Sequence, residues 1–169
     1  EGGRMNLLVS RCLLGTPCRY DGAVKSDLRD ALRASGIKDD CWVSICPESD
    51  GGLPTPRAPS EIQGTARGVL DGRDRIIDAN GQDNTICFMH GARLAADLCL
   101  AHGFQLALLI AKSPSCGFVQ IYNGTFTGTL VAGRGLTAEL LSDIGVCIFT
   151  ENEFDLLRAA VKTQQDPPC

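Results

Sequence analysis

The stretch Leu106–Gly117, LALLIAKSPSCG, decides the fold and contains a candidate site. Six of its first seven residues are apolar, which suits a buried strand over Leu106–Lys112, although periodicity alone leaves a buried helix open. Pro114 cannot donate to a sheet ladder, so the strand is expected to end before it. Cys116 is therefore predicted in a turn beyond the carboxyl end of a strand, where Gly117 lets the backbone come close to whatever the cysteine holds.

Two other apolar runs also lead into a cysteine. Leu7–Ser10 is followed by an arginine and Cys12, and Trp42–Ile45 is followed directly by Cys46. Binding sites in open α/β sheets lie outside the carboxyl ends of the strands. If the three runs are parallel strands of one sheet, these two cysteines and Cys116 converge on one edge of it.

Strands and helices alternate along the chain, which is typical of a doubly wound sheet. The predicted strands are Met5–Ser10, Cys41–Cys46, Leu106–Lys112 and Val146–Phe149. The predicted helices are Lys25–Ser35, Thr85–His102, Thr137–Leu141 with Thr137 as its N-cap, and Glu153–Lys162. The fold class is therefore α/β, with one domain over residues 5–165 and a mostly parallel, Rossmann-like sheet flanked by helices. Residues 1–4 resemble a tag remnant, and residues 166–169 are expected to be a frayed tail.

Three segments are predicted to be irregular or to form a turn. Pro47–Gly64 is rich in proline and glycine and contains few apolar residues, so we expect a long functional loop. The dipeptide Asp71-Gly72 predicts a hairpin within Ala66–Ile77. Tyr122–Gly135 contains four glycines and is predicted to be another loop.

Composition restricts the class of protein. The chain has 169 residues, nine cysteines and a net charge of −4. The odd number of cysteines and the absence of a recognisable secretory signal argue against a disulfide framework and favour metal ligands or reactive thiols in a cytoplasmic protein. The acidic balance, without a long basic run, argues against nucleic acid as a partner. No stretch approaches the ~20 apolar residues that a membrane span needs.

The cysteines fall into two groups. Those at strand ends, Cys12, Cys46 and Cys116, are candidate thiolate ligands of zinc or of an iron–sulfur cluster. A cluster held by three cysteines leaves one iron open to act as a Lewis acid. Cys18 also lies in a turn, and its role as fourth ligand, active-site thiol or neither stays open. The others lie within or beside apolar runs and are expected to be small buried hydrophobes: Cys41, Cys87, Cys99 and Cys147.

Six short motifs occur in this order along the chain: SRCLLG at Ser10–Gly15, CRYDG at Cys18–Gly22, CPE at Cys46–Glu48, GGLPTPR at Gly51–Arg57, SPSCG at Ser113–Gly117 and YNGTFTG at Tyr122–Gly128. In these motifs the sequence resembles the DUF523 family, whose characterised members are thiouracil desulfidases. The resemblance extends from about Asn6 to about Glu151. Within the last motif, Asn123 stands where we expect an aspartate in the family.

The resemblance implies a single α/β domain with a [4Fe-4S] cluster, held by motif position on Cys12, Cys46 and Cys116. It also implies redox-neutral removal of sulfur from thiolated pyrimidines, with Glu48 and Ser113 as the catalytic residues. We expect Glu48 to be a general base for water and Ser113 to orient that water. The residues expected to contact a thiolated pyrimidine base or nucleotide are Cys18, Arg19, Arg57 and Ser115.

Alternative interpretations remain for the protein and for its residues. Under one alternative, the substrate is a thiolated nucleotide or 4-thiouridine in tRNA. Under another, the protein is a non-catalytic module that binds zinc or a cluster. Residue by residue, Glu48 is alternatively a solvated surface carboxylate, Ser113 a cap of its turn, and Arg19 a partner of Asp21.

Overall fold

The structure is a computed structural model that describes residues 6–165. The strands are β1 (Leu7–Ser10), β2 (Trp42–Ile45), β3 (Ser60–Gln63), β4 (Arg75–Asp78), β5 (Leu106–Leu109), β6 (Gln120–Tyr122), β7 (Leu130–Ala132) and β8 (Cys147–Thr150). The helices are α1 (Arg29–Ala34), α2 (Pro47–Asp50), α3 (Ala66–Leu70), α4 (Thr85–His102), α5 (Leu136–Asp143) and α6 (Phe154–Gln165). The predicted tag remnant and frayed tail lie outside the described residues.

A four-stranded parallel sheet in the order β2-β1-β5-β8 forms the centre of the fold. Leu7 in β1 lies opposite Trp42 in β2 on one side and Leu106 in β5 on the other. The predicted α/β class with a parallel, helix-flanked sheet is confirmed. The strand order reverses between β1 and β5, which is the position where doubly wound sheets form their binding crevice.

Alternating residues of the strands bury the two faces of the sheet. Leu8 packs in a cluster with residues of α4 and α5, such as Ala95 and Leu141. Leu7 packs in a second cluster on the other face, with Leu157 of α6. Because both faces are covered, the central strands read as continuous apolar runs instead of alternating ones. Within residues 6–165, no helix is both long and apolar enough to cross a bilayer.

Two predicted elements are longer than the observed ones. The strand predicted to reach Lys112 ends at Leu109, and the amide of Ile110 then donates to the hydroxyl of Ser10 over 3.0 Å. The helix predicted from Lys25 begins only at Arg29. Before α1 the chain pairs with the segment after β1 instead, since the amide of Leu28 donates to the carbonyl of Leu13 over 2.8 Å. Periodicity does not report such contacts.

The predicted hairpin at Asp71-Gly72 is wrong, because the segment before the dipeptide is helix α3. The hydroxyl of Thr65 accepts from the amide of Gly68 over 2.9 Å and so caps the start of α3. Asp71 caps its end, and Gly72 follows with a φ of 78°. A left-handed glycine after the C-cap is a common way to end a helix. The dipeptide is therefore a helix stop signal, and β4 pairs with β3 instead.

The two predicted loops both contain regular structure. Pro47–Gly64 includes α2 and β3, whose Ile62 is buried in a third core cluster. Tyr122–Gly135 includes the end of β6 and all of β7, which form an antiparallel hairpin. These short strands bury few of their residues, so neither clear alternation nor a long apolar run marks them in the sequence. Cys147, predicted to be buried, is exposed because it begins the edge strand β8.

Helix α4 approaches the start of α2 through a glycine. A Cβ atom built on Gly91 would overlap the carbonyl group of Pro47, which is backbone and cannot move aside cheaply. Glycine in a helix interior ordinarily costs about 0.5–1 kcal/mol relative to alanine, and at Gly91 the missing side chain permits this close approach. The contact fixes the backbone between Cys46 and Glu48.

We expect Gly91→Ala to lower the free energy of unfolding by about 1–3 kcal/mol, the usual cost of overpacking. The measurement is chemical denaturation followed by circular dichroism. Leu100→Ala, an exposed position on the same helix, is the control and should change stability by less than about 0.5 kcal/mol. If Gly91→Ala stabilises the protein, as helix propensity alone predicts, the close packing of α4 on α2 is refuted.

Candidate active site

A cavity of about 740 Å³ lies at the carboxyl edge of the parallel sheet. Its wall is built by the segments that follow β1, β2, β5 and β8. The sequence-predicted residues that line it are Cys12, Cys18, Arg19, Cys46, Glu48, Arg57, Ser113 and Cys116. Residues separated by up to about a hundred positions are thus brought to one surface because their strands run parallel and end at one edge.

The thiols of this cavity are buried. Cys12 is 8% exposed, Cys46 is 8% exposed and Cys116 is 4% exposed. Cys18 is 6% exposed and lines the same cavity. The thiol of Cys46 also donates to the Cys18 carbonyl over 3.6 Å and to the Ser49 hydroxyl over 3.5 Å.

The surroundings disfavour the charged form of three of these thiols. The hydrogen bond with Cys12, together with burial, raises the pKa of Cys18 to about 11. The contact with Cys18, followed by burial, raises the pKa of Cys46. Burial raises the pKa of Cys116 to about 12. At neutral pH these thiols stay protonated unless a bound metal displaces the protons.

All eight cysteines among residues 6–165 are free. Within the same range, no group of three or more His, Cys, Asp or Glu side chains is arranged to hold one metal ion. The thiols at the sheet edge line a cavity instead of meeting at a point. Such a set suits a polynuclear cluster, in which each thiolate binds a different iron.

Glu48 is a partly buried carboxylate held by Arg57. Its Oε2 accepts from Nε and Nη2 of Arg57 over 3.0 and 2.6 Å. The two side chains are only 15% and 7% exposed. Arg57 also donates to the carbonyls of Pro54 and Cys18 and to the hydroxyl of Thr55.

All five N–H donors of Arg57 therefore have partners within the described chain, although we had expected this residue to contact substrate. Its observed role is to hold Glu48 and the Cys18 loop together. Glu48 is likewise not the solvated surface carboxylate of the alternative interpretation, since it points into the cavity wall with its charge paired.

Ser113 joins the carboxylate to the cysteine turn. Its hydroxyl donates to Oε1 of Glu48 over 3.2 Å. The hydroxyl oxygen of Ser113 also accepts from the amides of Ser115 and Cys116 over 3.0 and 3.1 Å. Ser113 thus caps its turn and positions Glu48 at the same time, and its one proton is already used.

Ser115 and Arg19 were both expected to contact the substrate, but only Arg19 lines the cavity. Ser115 is 1% exposed and shares a 2.8 Å hydrogen bond with the hydroxyl of Thr137. It does not belong to the described cavity lining, so its expected contact with substrate is not supported. Thr137 is also not the predicted N-cap, because α5 begins at Leu136 after Gly135. Arg19 lines the cavity and lies 3.4 Å from Asp21, so it pairs as the alternative interpretation expected.

The sequence analysis missed one ion pair at this edge. Arg11 donates to both carboxylate oxygens of Asp50 over 2.9 and 2.7 Å, and Asp50 accepts from the amide of Cys46 over 3.2 Å. The hydrogen bond to Asp50 raises the pKa of Arg11. The pair ties the segment after β1 to the segment after β2. Its sequence signal is the arginine beside Cys12 and the aspartate four residues after Cys46.

The fold and this cavity define a class of protein: a parallel α/β domain with a thiol-lined pocket at the switch point of its sheet. Comparisons with known proteins narrow the class. A model of the 2-thiouracil desulfurase family matches residues 7–153. The chain therefore belongs to the 2-thiouracil desulfurase family, as the sequence motifs led us to expect.

Two relatives cover nearly the whole chain. The uncharacterized protein YbbK of Bacillus subtilis strain 168 is 42% identical over 152 residues, which are 88% of this chain and 97% of YbbK. A solved structure of the [4Fe-4S]-dependent thiouracil desulfidase TudS is 43% identical, with a TM-score of 0.80 over 94% of this chain and 98% of TudS. At this identity and TM-score, this protein and TudS share the whole fold.

Proposed function

We propose that this protein is a [4Fe-4S]-dependent thiouracil desulfidase that converts 2- or 4-thiouracil to uracil and hydrosulfide. The observation that carries the proposal is the shared cavity of Cys12, Cys46 and Cys116, with the Glu48–Ser113 pair in its wall. Family membership and the likeness to TudS support it.

The donor set fits the proposed cofactor. Cys12, Cys46 and Cys116 come from three different loops, and thiolates are the usual ligands of iron–sulfur clusters. When bound through three cysteines, the cluster supplies an open iron that attracts soft sulfur and withdraws electron density from the C–S bond. Cys18 lines the same cavity and is proposed to contact substrate.

Glu48 is placed to take a proton from water. A carboxylate has about four acceptor sites. Arg57 occupies two of them on Oε2, and Ser113 occupies one on Oε1. The remaining site on Oε1 is available to a water molecule in the cavity, so Glu48 serves as general base.

The reaction is balanced without a redox partner. Water adds its oxygen to the ring carbon and loses two protons, one through Glu48 to solvent and one to the departing sulfur. The carbon–sulfur bond breaks, and sulfur leaves as hydrosulfide with the bonding electron pair. A carbonyl replaces the thiocarbonyl, so the oxidation state of the carbon does not change. Ser113 contributes by fixing Oε1 of Glu48 relative to the Cys116 turn, and not by orienting the water as we first expected.

The experiment that tests the function is anaerobic reconstitution with iron and sulfide, followed by assays of hydrogen sulfide release and uracil formation. Both 2-thiouracil and 4-thiouracil are used. We expect a brown protein with four irons per chain and equal amounts of the two products. An iron-loaded protein that releases no sulfide contradicts the proposal. A colourless protein with stoichiometric zinc would instead support the non-catalytic module.

A thiolated nucleotide is the second candidate substrate. The cavity lining includes the cationic side chains of Arg19 and Lys25, which attract a phosphate group. Base, nucleoside, nucleotide and tRNA compared side by side will rank the substrates. The net charge of −4 argues against tRNA. We also propose a cytoplasmic location, which the cysteine-rich sequence favours.

We expect Arg57→Lys to lower kcat by about tenfold to a hundredfold with little change in KM. Lysine offers three donors and no planar fork, so it cannot hold Oε2 of Glu48 and the three other acceptors together, and misplaced catalytic groups cost rates of this size. The measurement is steady-state kinetics of the reconstituted variant. Arg67→Lys, which affects the exposed ion pair with Glu139, is the matched control. A rise in KM at unchanged kcat would instead place Arg57 against the substrate.

A further inference from the structure

We infer that Phe126 binds the substrate ring in this site, and that Glu61 is the positioning residue that holds Phe126 in place. In this arrangement Phe126 forms an aromatic wall for the planar heteroaromatic ring of the substrate. The inference rests on the proposed function, because that function supplies a pyrimidine ring. Neither residue was among the sequence-predicted site residues.

Phe126 lies in the β6–β7 turn, residues 123–129, with a φ of 57°. Bulky residues rarely adopt this left-handed region, and such strain persists only where the surroundings enforce it. The side chain is 39% exposed and lines the cavity. Among the described residues, Phe126 packs into none of the three core clusters. Phe126 thus keeps this conformation without belonging to the described core.

Glu61 enforces this conformation from β3. Its side chain is buried, and its Oε1 accepts from the amides of both Gly124 and Phe126 over 3.0 and 3.3 Å. Gln63, two residues along β3, donates to the carbonyl of Gly124 over 2.8 Å. A Cβ atom on Gly124 would lie 2.7 Å from the carbonyl oxygen of Ile62, so the turn lies tightly against β3.

The exposed aromatic surface fits a flat ring better than a phosphate or a flexible chain. Aromatic rings stack on heteroaromatic rings through dispersion and complementary charge distributions. Tyr122, which is 36% exposed, lines the same cavity. Ring recognition through Phe126 acts on substrate and transition state alike, because the ring keeps its place during the reaction. It should therefore appear in KM and not in kcat.

The test compares Phe126→Ala and Phe126→Tyr with the wild-type holoenzyme. We measure KM for 2-thiouracil and the inhibition constant of uracil, which contains the ring but no sulfur. Phe126→Ala is expected to raise both constants about tenfold, with kcat within about twofold. Phe126→Tyr keeps the ring and should restore both. Val131→Ala, an exposed position in β7 outside the cavity lining, is the control and should change neither.

Substitutions at Glu61 test the positioning step. Glu61→Gln keeps an oxygen that accepts from both amides and should leave KM and the uracil inhibition constant unchanged. Glu61→Ala releases the turn and should raise both constants as much as Phe126→Ala does. The double variant should show no further rise, because the two residues act through one contact surface.

The possible failures are distinguishable. If the wild-type holoenzyme releases no sulfide, the proposed function is contradicted. If it turns over normally and Phe126→Ala leaves KM and the uracil inhibition constant within twofold, this inference is overturned and the proposed function stands. A Glu61→Ala variant with unchanged constants, beside a Phe126→Ala variant with raised ones, overturns the role of Glu61.

Discussion

Glu48→Gln is expected to keep four irons per chain and to lose turnover by about 10²–10⁴-fold, the usual contribution of a general base. Glutamine preserves the size of the side chain and can still accept from Arg57 through its amide oxygen. It cannot take a proton from water at neutral pH. The measurement is hydrogen sulfide release per iron-loaded chain, with the visible spectrum as the readout of the cluster.

The control for Glu48→Gln is Glu139→Gln. Glu139 also pairs with an arginine, Arg67, over 2.8 Å, but it lies outside the cavity lining. Removing this pair should leave turnover unchanged, because exposed ion pairs contribute little. A Glu48→Gln variant with wild-type turnover would remove Glu48 as the base and leave the cluster assignment intact. Loss of iron from Glu48→Gln would instead show that the ion pair supports the cysteine loops.

Cys116→Ala is expected to abolish both iron loading and turnover. Alanine supplies no ligand, and two cysteines are too few to hold the cluster in the cavity. Cys12→Ala and Cys46→Ala should behave in the same way. The measurements are iron and sulfide content after anaerobic reconstitution, and hydrogen sulfide release from 2-thiouracil.

Two other buried cysteines provide the controls for this experiment. Cys99→Ala, in helix α4 and within the core, should keep four irons and lose only some stability. Cys18→Ala should also keep four irons, because we assign Cys18 to the substrate and not to the cluster. If Cys18→Ala loses its iron as Cys116→Ala does, Cys18 is a fourth ligand and the open iron of the proposed mechanism is lost.

Strands of the central sheet were predicted correctly from the sequence where burial produces continuous apolar runs. The runs at Leu7–Ser10 and Trp42–Ile45 coincide with β1 and β2. Prediction failed where a short element depends on a distant partner. Asp71-Gly72 carries the composition of a hairpin turn, yet it ends a helix, because β4 finds its partner in β3, on the other side of α3. A local signal cannot report which segment lies across the sheet.

The site shows the same division. The three cysteines could be selected from their positions after strands, since parallel strands end at one edge, whereas Glu48 was expected from the family resemblance. The partners of each side chain could not be selected in this way. Arg57 was expected to meet substrate, but the structure gives its donors to Glu48 and to the surrounding loops. Ser115 was expected in the cavity, but it bonds to Thr137 within the protein.

The sequence by itself determined the α/β class, the family and the three thiols of the sheet edge, because hydrophobic runs and short motifs are local properties of the chain. Only the tertiary structure decided how Glu48 is held and how the β6–β7 turn presents Phe126. These depend on hydrogen bonds between segments tens of residues apart, such as Ser113 to Glu48 and Phe126 to Glu61. Such bonds depend on how distant segments pack in three dimensions, and no local pattern in the sequence indicates them.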